Sequence, residues 1–151
     1  MATPTININD VPQAIQLALG PVFLLTGIAG MLNVMAGRLA RIIDRARSLS
    51  ESGVPPGVRP AEAIEAELRD LDRRRHLAGA AITACTLAAL LVCMVVASLF
   101  LEVLLDAPLR GLVGLLFTTA TLALVVGLAY FLREVHLATT TIRIPRTLTR
   151  P

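Results

Sequence analysis

QLALGPVFLLTGIAGMLNVMAGRLARIIDRAR, residues 16–47, joins an apolar run to a cluster of arginines with no turn signal between them. No charged residue occurs from Val11 to Gly37, and Arg38, Arg41, Asp44, Arg45 and Arg47 then follow at once. The hydrocarbon core of a bilayer is about 30 Å thick, and at about 1.5 Å rise per residue a crossing helix needs roughly 20 apolar residues. Val11 to Gly37 passes that test, and working outward so do Leu77 to Leu101 and Gly111 to Leu132. The chain of 151 residues is 55% hydrophobic and 17% charged, whereas soluble domains run at about 45–50% and about a quarter. A lipid-facing surface accounts for the excess. The three stretches take almost half the chain and leave no room for a separate soluble domain.

The arginines decide the orientation. Met1 to Asp10 carries no basic residue. A cleavable signal peptide has its basic residues before the apolar run rather than after it, so the first span is expected to stay in the protein. Lys and Arg are retained in the cytoplasm, which puts the Arg38 to Arg75 segment inside and the N-terminus outside. The turn Glu102 to Arg110 has two acids, one Arg and one Pro, while the tail has Arg133, Arg143, Arg146 and Arg150 against one acid, Glu134. Both agree with three crossings. The expected fold is an all-α integral membrane protein of a cytoplasmic (inner) membrane, with three transmembrane helices and a cytoplasmic antiparallel helical hairpin between the first and second spans. Its parts are an extracytoplasmic segment 1–12, spans at 13–37, 77–101 and 111–132, the hairpin 38–76, an extracytoplasmic turn 102–110, and a basic cytoplasmic tail 133–151.

Within the first span Gly20, Gly27, Gly30 and Gly37 recur at spacings of seven, three and seven, on one arc of a helix. Gly111, Gly114, Thr118 and Thr121 make a similar stripe in the third. Small residues let helix backbones approach closely in lipid, so these two faces are expected to pack, within one subunit or between subunits. Cys85 and Cys93 fall inside the second span and read as small buried hydrophobes.

From Arg38 to Ser50 the apolar positions Leu39, Ile42, Ile43, Ala46 and Leu49 follow a helical stripe, so the first span should run on into the cytoplasm. Gly53, Pro55, Pro56, Gly57 and Pro60 end it. A second amphipathic helix with Ala61, Ile64, Leu68 and Leu71 on one face begins near Pro60 and feeds the second span. Antiparallel pairing at equal distance from the bilayer sets Ile42 and Ile43 against Leu68 and Leu71, Arg41 against Asp72, Asp44 against Arg69, and Arg38 near Arg75 and His76. Arg38, Arg41, Asp44, Arg45, Arg69, Asp72, Arg73, Arg74 and Arg75 are the candidates for protein contact or for anionic lipid headgroups.

The run from Gln16 to Arg47, with its R-x-x-R-I-I-D-R-x-R segment at Arg38 to Arg47, resembles the bacterial membrane family known as domain of unknown function family 2721. The L-x-x-L-x-R-R-x-x-L-like pattern at Leu68 to Leu77 and the two closing spans extend the likeness over roughly Val11 to His136, leaving Leu137 to Pro151 as a basic, Thr-rich, strand-like tail. The resemblance implies a small integral membrane protein and no transferable activity.

Signs of chemistry are sparse. No ionisable residue falls inside the spans, where one would flag function. His76 and His136 stand near membrane boundaries without a ligand set at metal spacing, and the phosphate-loop, zinc-protease and nucleophile-elbow motifs are missing. No catalytic residue, metal or cofactor is therefore assigned. Thr83, Thr86, Ser98, Thr118, Thr119 and Thr121 are expected to bond back to their own helices. The net charge of +3 does not point to nucleic acid, because the arginines bracket spans and lack aromatic neighbours to stack bases. The expected function is non-enzymatic: assembly with membrane lipids and with a second copy or another membrane protein, the hairpin serving as contact surface. The alternative is an oligomeric channel or transporter with Asn33, Thr118 and Thr121 along its path.

Overall fold

The computed structural model describes residues 10–51, 61–105 and 108–140, with the side chains of Asp10, residues 61–64 and Thr140 outside that description. The N-terminal segment, the Gly- and Pro-rich turn and the tail arginines Arg143, Arg146 and Arg150 lie outside the described residues, as do the side chains of Ala61 and Ile64. The described chain is three α-helices: α1 (Asp10–Glu51), α2 (Ala61–Leu105) and α3 (Arg110–Thr140). All three are long and apolar enough to cross a membrane. The expected run-on from span to charged segment is found: α1 has 42 residues and α2 has 45. At about 1.5 Å per residue these are roughly 63 and 68 Å long, about twice the hydrocarbon thickness. Their arginine-rich halves must therefore project beyond the lipid. Pro21 lies inside α1; it lacks an N–H to donate and its ring crowds the carbonyl one turn back, a disruption tolerated in membrane helices where neighbouring groups and local adjustment satisfy the freed carbonyl.

α2 is the middle of the bundle. α1 and α3 both pack along it, and few of their backbone positions come near one another. The seam on α2 is Leu71, Ala78, Ala81, Cys85, Ala88, Val92, Val95 and Ser98, all buried, mostly at the alternating three and four spacing that keeps one stripe facing its neighbours. Ile28 and Met35 of α1 and Ala120 of α3 close the core with Ala81, Cys85, Ala88 and Val92. Small side chains on α2 allow helices to approach from two sides, and packing rather than water exclusion holds helices together in lipid. Among the described glycines, Gly127 of α3 has the least room: an added Cβ would lie 2.6 Å from Cys85 Sγ and 3.3 Å from the Ala81 carbonyl oxygen.

Of the two arrangements expected for the glycine stripes, packing within the subunit is not the one found. At Gly20, Gly27, Gly30, Gly37, Gly111 and Gly114 an added Cβ would meet nothing within 4 Å, so the α1 and α3 stripes do not pack on each other within the subunit. The reason is topological: α2 lies between the two helices and supplies the small residues itself. Cys85 is buried as expected, while Cys93 is exposed.

The spans' hydroxyls bond to their own helices. Thr83 donates to the Gly79 carbonyl at 2.9 Å, Thr86 to Ile82 at 2.8 Å, Ser98 to Met94 at 2.7 Å, Thr118 to Gly114 at 2.8 Å, Thr119 to Leu115 at 2.8 Å, and Thr121 to Thr118 at 2.8 Å. No interhelical hydrogen bond is made with them among the described residues.

Candidate functional site

The polar halves of α1 and α2 lie side by side. Ile42 and Leu71 share a small buried cluster with Ala78, flanked by Leu39, Ala46 and Leu49, so the apolar register matches the pairing read from the sequence. Ile43 is 41% exposed and lines, with Leu68 and Asp72, an open groove of about 540 Å³ between the two helices. The ionic register differs from expectation. Arg45 donates to Glu67 through Nη2 at 2.8 Å and Nε at 3.1 Å. Asp72 stands 3.9 Å from His76, and Arg69 stands 3.4 Å from Glu65, so neither meets Arg41 or Asp44. Arg41 and Asp44 are exposed and make no ion pair among the described residues. Side-chain length explains the shift: a small rotation of one helix moves charged tips by several ångströms while the apolar contacts near the axis stay in register.

Arg38 pairs with α3. Its Nε lies 3.5 Å from Glu134 Oε2, and its guanidinium carbon sits 5.6 Å from the centre of the Phe131 ring. Arg74 donates to the other oxygen of the same carboxylate, Oε1, at 3.1 Å. Glu134 is fully buried, and it binds an arginine from each of the other two helices. A carboxylate taken out of water must be paired, and two guanidiniums side by side would repel without it. Glu134 thus ties α1, α2 and α3 at one level of the bundle, just beyond the third apolar run. Glu134 Oε2 and Arg74 Nε are buried without a hydrogen-bond partner among the described residues.

This cluster was not legible as a site in the sequence, where Glu134 reads as the one acid of a basic tail. The available signal was positional: a lone acid two residues beyond an apolar run, on a helix whose two neighbours both carry Arg at the same depth. Arg74 is correspondingly withdrawn from the lipid-facing set, while Arg73 and Arg75 stay exposed. At the opposite end, Arg110 lies 3.5 Å from Glu102, beside a groove of about 620 Å³ bordered by Gln13, Leu17, Leu99 and Val113. Asn33, Thr118 and Thr121 line neither groove, and the subunit does not bring them together. Among the described residues no group of three or more His, Cys, Asp or Glu converges as metal ligands would.

Fold and cluster together define an all-helical protein of three helices, each long and apolar enough to cross a membrane, tied at one end by a buried Arg–Glu–Arg set. The chain belongs to the family described as Protein of unknown function (DUF2721), which matches residues 18–144. The match covers all three cluster residues, and it runs beyond His136, so part of the segment read as outside the family lies within it. α3 likewise continues as helix through Thr140. No curated protein matches the chain, and neither does any solved structure.

Proposed function

We propose that this protein catalyses no reaction and works by assembly, as a homo-oligomer or as an accessory subunit of another membrane protein. It does so in a bacterial inner membrane, with its N-terminus outside and its C-terminus in the cytoplasm. The distribution of arginines supports this orientation, since Lys and Arg stay on the cytoplasmic side. One observation carries the assembly reading. Asn33 lies inside the apolar run, about 7 Å along the helix from Arg38, and is exposed with no hydrogen bond among the described residues. Hydrocarbon offers an amide no partner, and polar side chains in spans are normally satisfied by another helix.

The projecting halves of α1 and α2 form the cytoplasmic contact surface. Arg41, Asp44, Arg69, Asp72, Arg73 and Arg75 are exposed there, and Arg73 and Arg75 suit anionic headgroups at about 1 kcal/mol each. A channel would need Asn33, Thr118 and Thr121 to meet across subunits, with threonine hydroxyls already engaged by their own helices. Assembly asks less of the geometry. Mass measurement on particles extracted with native lipids tests the proposal: a particle heavier than one chain supports it, and a lone chain with nothing copurifying overturns it.

A further inference from the structure

We propose that α1 carries a self-association seam along which a second copy of this chain packs in parallel, meeting at Asn33. The inference rests on the assembly reading and names its partner. Thr26, Gly30, Asn33, Gly37, Ala40 and Asp44 follow one another at spacings of four, three, four, three and four, and all six are exposed. That is the 3.5-residue period of a left-handed helix pair, in which one buried Asn fixes register and partner number. The stripe lies on the side of α1 away from Ile28, Met35 and Ile42, which are buried in the subunit.

The outward faces of α2 and α3 carry no amide side chain. On α2 and α3 they carry large apolar side chains such as Leu90, Met94, Leu115, Leu122 and Val125, each about half exposed or more, as a lipid-facing surface should. α3 also turns Gly111, Gly114 and Thr118 outward, with the Thr118 hydroxyl held by its own helix, whereas the α1 stripe adds an amide without a hydrogen bond among the described residues. A carboxamide both donates and accepts, so it is complementary to another copy of itself. Two copies inserted in the same orientation bring identical amides to identical depth, a match no unrelated partner guarantees. Gly30, Gly37 and Ala40 then leave room for the backbones to close.

A second observation comes from charge. Arg41 and Asp44 sit on the same side of α1 beyond the apolar run, exposed and without an ion pair among the described residues. In a two-fold contact each residue that touches a second residue is itself touched in return. Arg41 flanks the stripe and so meets Asp44 of the partner subunit on both sides of the axis, offsetting the approach of the two Asp44 carboxylates and matching two of the charges left unpaired among the described residues.

The test is oxidative cross-linking in native membranes of chains with one exposed cysteine each. Cys93→Ser removes the exposed thiol, Cys85 stays buried in place, and one cysteine is introduced at a time. Gly30→Cys, Gly37→Cys and Ala40→Cys should give disulfide-linked dimers, whereas Ala36→Cys, Leu90→Cys and Val125→Cys should not. In the same membranes Asn33→Leu should lower the dimerisation constant by roughly 3- to 30-fold. Asp44→Arg should lower it as well, and adding Arg41→Asp should restore it. Dimers formed only through Leu90→Cys or Val125→Cys would overturn the seam and leave assembly standing. Seam cysteines linked to a different protein would overturn the second copy as occupant and keep the accessory role. No cross-links together with the mass of one chain would overturn both.

Discussion

Glu134 has no exposed surface and faces two guanidiniums, and breaking a buried ion set by removing one member costs about 3–5 kcal/mol. Glu134→Gln should lower the subunit's unfolding free energy in micelles by that order, because it leaves Arg38 and Arg74 uncompensated. Replacing all three by apolar residues of similar volume should recover most of the loss, since buried ion sets are often no more stable than a packed apolar equivalent. Unfolding titrations of the single and triple variants read this directly. At Gly127 the argument is steric. A Cβ 2.6 Å from Cys85 Sγ forces the helices apart, so Gly127→Ala should cost about 1–3 kcal/mol. Adding Cys85→Ala should restore part of that, and the backbone contacts at 3.2 and 3.3 Å hold back the rest. Gly20→Ala and Gly111→Ala should leave the subunit's stability within about 0.5 kcal/mol, because nothing lies near either position. Composition marks a glycine as important without saying which neighbour it serves, which is why Gly127 went unread while the exposed stripes attracted notice.

Among elements, the continuity of α1 and α2 was legible because hydrophobic period and charge pattern run through the membrane boundary without a breaker. The contact of Ile42 with the Leu71 cluster was legible for the same reason: apolar stripes have few ways to meet. Leu71 is 7% exposed, so Leu71→Ala should destabilise the projecting pair by about 2–5 kcal/mol. Ile43, at 41% exposure, should matter much less. Proteolysis rates within residues 38–76, compared between Leu71→Ala and Ile43→Ala, check the difference. Ion pairing was not legible at this scale, since several acids lie within reach of each arginine and the choice turns on helix rotation. Arg45 with Glu67, half and one-third exposed, should give a coupling of only about 0.2–1 kcal/mol in a double-mutant cycle.

For the whole molecule, three spans and their order follow from apolar length alone, and the family match over residues 18–144 agrees with the likeness read in the Arg38 to Arg47 segment. What the sequence left open was the arrangement around α2. Three helices joined in series by turns can place any of them in the middle, and the Ala and Cys seam that decides the matter reads as ordinary span composition. Once α2 is the centre, the outer face of α1 is left as an exposed surface with an amide and small residues, and the proposed assembly is the account's central claim. Its most direct test is the mass of the particle released with native lipids, measured for the natural chain and for Asn33→Leu. The account predicts a multiple of the 16.1 kDa chain for the former and a shift toward the single chain for the latter. A single chain in both, with no other protein retained, would contradict it.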